Sequence, residues 1–130
     1  MLLTADALLC HAIGDYLLQS DYMALRKTTS KWVALFHAVV YGLPFLWLGP
    51  SLAGWLVIVL THAVIDHYRL ARYLVYAKNF LAPREFWYRW QDCAKTGYHK
   101  DRPDWLAVWL LIIADNTLHV FLNSVALAYL

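Results

Sequence analysis

The chain has 130 residues, of which 62% are apolar without counting glycine, 16% aromatic and 15% charged, and its formal net charge is +2. Such a length has room for one domain and not two. The apolar share, against roughly 45–50% with glycine included in ordinary globular domains, and a mean hydropathy of +0.45 exclude a small water-soluble domain and point to a membrane protein.

The charges are distributed unevenly. Lys and Arg are absent from residues 1–25, 32–68 and 103–130. A spanning helix needs about 20 residues, so the first and third stretches suit one span each and the middle one suits two. The expected fold is all-α, a four-helix transmembrane bundle with a short interfacial helix between helices 3 and 4.

The first span is expected over about residues 3–24 and carries His11, Asp15 and Gln19. There is no basic leader region, Asp6 stands near the start and residues 10–20 are partly polar, so no cleavable signal peptide is expected. A basic turn at 26–31 precedes the second span, about 32–48, which holds His37. Gly42 and Pro44 should kink its far half, as spanning helices tolerate. Gly49, Pro50 and Ser51 form a tight turn signal.

The third span, about 52–76, holds His62 and Asp66 and becomes mixed in composition from His67 onward. Residues 78–103 form the one long polar loop. Pro83 is its breaker, and residues 84–90 are expected as the interfacial helix. The fourth span, about 104–130, starts near Asp104 as an N-cap after Pro103 and carries Asp115, His119 and Asn123. Cys10 lies in a span and Cys93 in the loop, so no disulfide framework is expected.

All eleven Lys and Arg residues fall in two segments, three in 26–31 and eight in 69–102. Four crossings put both segments on one side. The positive-inside rule makes that side cytoplasmic and leaves both termini outside, as in a multi-pass protein of the inner membrane. Trp32, Trp105 and Trp109 then fall toward the inner interface, and Trp47 and Trp55 toward the outer one. The basic loop residues, among them Lys78, Arg84, Arg89, Lys95, Lys100 and Arg102, read as a contact for anionic lipid headgroups. With no folded module to present them, they do not read as a nucleic-acid site.

Histidine and aspartate recur four residues apart: His11 with Asp15, His62 with Asp66, and Asp115 with His119. That spacing puts both side chains on one helix face. Ionisable groups inside apolar spans normally face a shared interior and mark function. Imidazole and carboxylate together suit Zn, Mn or Fe, and bundles build two-metal carboxylate sites from facing helices. His11, Asp15, His37, His62, Asp66, Asp115 and His119 are therefore the candidate divalent-metal ligands. Asp15, Asp66 and Asp115 are also candidate catalytic bases, and Gln19, Lys27 and Arg69 candidate substrate contacts.

The bland reading is that each pair is a local hydrogen bond or interhelical glue, and His–Asp dyads can also carry protons. By helical rise, Asp66 lies ~5 Å along its helix from Arg69 but Asp115 ~20 Å from Arg102, so the polar residues form either one cluster or two. His67 and His99 lie off the stripes and are expected at the interface.

The segment from His11 through Asp15 and Gln19 to Lys27, then His37, then Thr61, His62 and Asp66, and finally Asp115 to His119, resembles the domain-of-unknown-function 3307 family. These are small integral membrane proteins of bacteria and their phages. The likeness covers most of the chain, and its length and the Thr96-Gly97-Tyr98 segment look more like phage-borne members. The resemblance implies a membrane location and treats the His and Asp positions as one set; it brings no known reaction. Where the family often has lysine shortly after the third-span motif, this chain has Arg69.

The leading functional expectation is a metal-dependent membrane hydrolase acting on a lipid-linked or phosphorylated substrate. The alternative is a non-enzymatic phage or bacterial membrane factor, for superinfection exclusion or envelope modification, whose polar stripe holds the bundle or a homo-oligomer together. An ion path comes third, because the outer halves of helices 2 and 3 (residues 39–60) offer few polar groups.

Overall fold

A computed structural model describes residues 4–130; the expected start of the first span at Leu3 lies outside them. The described residues are helical and contain no strand. They form two compact units, one of residues up to Tyr68 together with His119–Leu130, the other of Arg69–Leu118.

In the first unit, α1 (Ala5–Ala12) runs into a π-helical turn, Ile13–Leu17, closed by the Leu18 N–H donating to the Ile13 carbonyl at 3.0 Å. The chain then breaks and restarts as α2 (Asp21–Arg26). The single helix expected over 3–24 is thus two. Ser20 is the physical reason: its extended backbone and its hydroxyl, accepting from the Met23 N–H at 3.3 Å, start a new helix.

Helix α3 (Lys31–Gly42), capped by Ser30, passes into a 3-10 turn at Pro44–Leu48, and Gly49 closes it with a left-handed backbone. The kink expected at Gly42 and Pro44 is present. Proline has no N–H to give to the Val40 carbonyl, which accepts from the Leu43 N–H at 3.2 Å instead, and the Gly42 carbonyl accepts from Trp55 Nε1 at 2.8 Å.

Helix α4 (Leu52–Tyr68) stops eight residues short of the expected 76. Arg69 takes φ +53, a left-handed backbone that ends a helix at a cost of about 1–2 kcal/mol for a non-glycine residue.

The second unit continues with α5 (Ala71–Lys78), two 3-10 turns and α6 (Trp90–Cys93). The interfacial helix expected over 84–90 is reduced to a 3-10 turn at Arg84–Phe86. Aromatic packing replaces it: Trp90 stacks on Tyr73 with centroids 4.7 Å apart, and the Arg72 guanidinium lies 5.5 Å from the Trp90 ring. Gly97 has φ +88, and a Cβ there would collide with the Arg72 carbonyl. Lys100 Nζ, 2.7 Å from Asp92 Oδ1, holds that carboxyl below its usual range. Burial pushes the Cys93 thiol up, which makes it inert. Helix α7 (Asp104–Tyr129) starts with Asp104 as its first residue rather than its cap, and contributes its part from His119 to the first unit.

Among the described residues, two segments are long and apolar enough to cross a membrane, Lys31–Leu48 with 18 residues and Asp104–Tyr129 with 26; α4 is apolar but shorter. By length and composition alone this is weak evidence of membrane association.

Replacing Ser20 with Ala should cost about 1 kcal/mol of stability by removing the cap of α2. Thermal unfolding of the purified variant checks this, with Thr29→Ala, an exposed turn residue, as the neutral comparison.

Candidate metal centre

Four helices of the first unit, α1 with its π turn, α3, α4 and the end of α7, turn polar residues toward the same interior point. The buried residues of α1 and its π turn are Ala7, Cys10, His11, Gly14 and Asp15; those of α3 include His37 and Tyr41. On α4 the buried face reads Gly54, Ile58, His62, Asp66 at a spacing of four, and on α7 it includes His119 and Asn123. Tyr41, Phe45, Ile58, Cys10 and Ala126 form the apolar core of the unit.

Gly14 makes this possible. A Cβ there would stand 2.6 Å from Tyr41 Cδ2 and 2.8 Å from the Tyr41 carbonyl oxygen, so only glycine lets the π turn approach α3. The neighbouring Asp15 then points among the imidazoles.

Four atoms form the centre: Asp15 Oδ1, His37 Nε2, His62 Nε2 and Asp66 Oδ2. His37 Nε2 lies 3.3 Å from Asp15 Oδ1 and 3.4 Å from Asp66 Oδ2. His62 Nε2 lies 3.4 Å and 3.2 Å from the same oxygens, and the two imidazole nitrogens are 3.0 Å apart. A tetrahedral ion with bonds of about 2.0–2.1 Å holds its ligands about 3.3 Å apart. The spacing fits that ion. All four side chains are buried, both histidines completely.

The surrounding bonds decide where the protons go. His62 Nδ1 is 3.2 Å from His119 Nδ1, and His119 Nε2 is 3.3 Å from Asp66 Oδ1. A carboxylate only accepts, so His119 donates from Nε2 and its Nδ1 accepts from the Nδ1–H of His62. In this arrangement, assigned from the bonding pattern, His62 Nε2 carries a lone pair. Asp15 Oδ1 and Asp66 Oδ2 accept no hydrogen bond of proper geometry, although Lys27 Nζ forms an ion pair with the latter at 2.6 Å. Buried carboxylate oxygens gathered in one place are costly; Lys27 compensates only Asp66 Oδ2, and a cation relieves the rest. The donor set therefore fits a metal ion.

Tyr41 supports the centre from below. Its ring stacks on His62 with centroids 3.6 Å apart and planes at 11°. Its hydroxyl donates to His11 Nδ1 at 2.8 Å and accepts from Asn123 Nδ2. His11 thus bonds Tyr41, with Asp15 Oδ2 at 3.8 Å, and stands behind the four-donor centre rather than in it.

The first unit therefore brings together His11, Asp15, His37, His62, Asp66, His119 and Lys27. Gln19 is half-buried in the break after the π turn, its Oε1 without a hydrogen bond. Asp115 and Arg69 belong to the second unit; Asp115 is half-buried, and Arg69 Nη2 donates to the Lys95 carbonyl at 2.9 Å. His67, expected at the interface, donates from Nδ1 to the Lys27 carbonyl at 2.9 Å and so fixes that backbone. Tyr41 was not among the residues singled out from sequence. Its signal was its place one turn after His37.

A model of the family described as a protein of unknown function (DUF3307) matches residues 3–128. No curated protein and no solved structure matches the chain.

Gly14→Ala should push the π turn away from α3 and abolish divalent-metal binding, measured by cobalt titration, while circular dichroism stays close to wild type. Gly49→Ala, which meets nothing within 4 Å but has a positive φ, should lower stability modestly and leave metal binding intact.

Proposed function

Since the chain belongs to the DUF3307 family, whose function is unknown, its chemistry must be read from its own residues, and we propose a multi-pass inner-membrane protein that uses a divalent cation to hydrolyse a lipid-linked or phosphorylated substrate. The observation that carries the reading is the buried set of four donors at tetrahedral spacing. Asp15, His37 and His62 hold the ion, Zn, Mn or Fe, with Asp66 opposite them as fourth donor or base. His119 orients His62 and Asp66, and Tyr41 seats His62. A bound ion supplies Lewis acidity and acidifies a water at neutral pH.

Charge favours an anionic substrate. A divalent ion and Lys27 together exceed Asp15 and Asp66 by one positive charge. An unbalanced charge in an apolar interior is costly, and a phosphate group balances it. Lys27 and Gln19 are the contacts for that group, and Arg69, with the basic loop, contacts lipid headgroups.

The membrane reading is supported by inversion of the usual pattern. Helix α4 buries His62 and Asp66 but exposes Leu52, Leu56, Leu60 and Val64. Water-soluble folds do the opposite. Four crossings form a four-helix transmembrane bundle with both basic segments cytoplasmic and both termini outside. The break before α2 is tolerated where protein covers it. Outward apolar faces meet lipid or a second copy of the chain.

A second reading keeps one observation of its own. The Tyr41, His11 and Asn123 bonds tie three helices without any metal, as a non-enzymatic phage or bacterial membrane factor with a structural polar core requires.

Detergent-purified protein should retain about one divalent ion per chain by elemental analysis, released as pH falls because ligand histidines must be neutral. His37→Ala and His62→Ala should each remove it and leave helicity unchanged. Protein that carries no metal and binds none at neutral pH, with these variants losing only about 1 kcal/mol each, would replace the hydrolase with the structural factor.

For topology, cysteines placed at the exposed positions Thr29 and Gln91 should be labelled only from the cytoplasm. A reporter fused after Leu130 should read as external.

A further inference from the structure

Lys27 stands where a metal centre would ordinarily exclude a cation. Its ammonium lies 2.6 Å from Asp66 Oδ2, the oxygen that also faces His37 and His62 at 3.4 Å and 3.2 Å. Its side chain is 18% exposed, against 5% for Asp66, so the charge is mostly withdrawn from solvent. The placement is held at both ends: the His67 imidazole bonds the Lys27 carbonyl, and the Lys27 N–H bonds the Met23 carbonyl at 2.9 Å to close α2. Asp66 is bound on its other oxygen by His119 at 3.3 Å.

The four donors are not equivalent. Asp15 Oδ1, His37 Nε2 and His62 Nε2 face one another with no cation among them, whereas Asp66 Oδ2 is already paired with one. A zinc site with four protein ligands is closed and structural; a catalytic one keeps three and leaves a position open. We propose that Lys27 is a positioning residue that holds Asp66 off the metal, so that Asp15, His37 and His62 are the ligands and the fourth position stays open for an anionic, phosphate-type group beside the ammonium. This rests on the metal reading above and deepens it by assigning Asp66 as the base and Lys27 as the group that sets the coordination number.

Removing a ligand-supporting residue normally loosens a metal. Removing Lys27 frees Asp66 Oδ2 to become the fourth ligand and takes away a repelling charge.

Purified protein in detergent, stripped with chelator, is titrated with cobalt(II) and followed by its visible absorption. Lys27→Met and Lys27→Gln should bind cobalt about tenfold or more tighter than wild type, with the stronger absorption of a four-coordinate ion. Lys27→Arg, which keeps the charge, should stay near wild type. Inorganic phosphate should perturb the wild-type spectrum and leave that of Lys27→Met unchanged. Weaker or unchanged cobalt affinity in both neutral variants, with wild-type helicity, would overturn the assignment of Lys27 while leaving the metal centre standing. Wild-type protein that binds no cobalt would overturn both. Two neutral variants keep the test open if one fails to fold.

Discussion

Two carboxylates and four imidazoles buried together impose the constraint on which the rest of the first unit depends. Asp15 and Asp66 cannot lose water in an apolar interior unless charge and hydrogen bonds are supplied locally. Four helices of the unit contribute to that supply: α1 and its π turn give His11 and Asp15, α3 gives His37 and Tyr41, α4 gives His62 and Asp66, and α7 gives His119 and Asn123. The polar faces consequently turn inward and leucines outward. Backbone detail follows from the same demand, because glycine at 14 is what brings the π turn against α3.

The outer bonds make the centre directional rather than merely polar. Tyr41 is completely buried, stacked on one imidazole and hydrogen-bonded to another helix on each side. A network with each member satisfied is rigid, whereas one with orphaned acceptors is strained. Two of the orphaned acceptors, Asp15 Oδ1 and Asp66 Oδ2, stand at the point where a cation fits. On the membrane reading proposed above, water cannot relieve them, and that gives the centre its chemical character.

Much of this was legible in the sequence. Spacing by four placed His62 and Asp66 on one face of α4, and the model shows that face buried. Segregation of Lys and Arg marked the apolar stretches, and the all-helical class and the Gly42–Pro44 kink followed from composition and from the missing proline N–H. The failures have physical causes. The break at residues 18–20 went unread because Ser20 looks like one more polar residue on a stripe, and only its cap geometry shows a restart. Helix α4 ends at Tyr68 because Arg69 adopts a left-handed backbone, a conformation no composition rule assigns to arginine. Tyr41 was missed because an aromatic in an apolar stretch reads as core, and its hydroxyl matters only once His11 and Asn123 are in place. Lys27, placed by sequence as a substrate contact, sits on a carboxylate of the centre, a relation between helices that no local pattern encodes.

The π turn at Ile13–Leu17 carries a consequence for how chain length can vary. A π turn holds one residue more than the α-helical turn it replaces. Deleting a single residue within it would regularise the helix and leave the flanking turns in register, but would close the wide turn that sets Gly14 against α3 and Asp15 among the imidazoles. Inserting one would widen the turn further and push Asp15 off the imidazoles. The number of residues in this stretch is therefore a heritable quantity as strict as the identity of the ligands. Related chains should tolerate substitutions at the outward positions 16–18 far more readily than any gap.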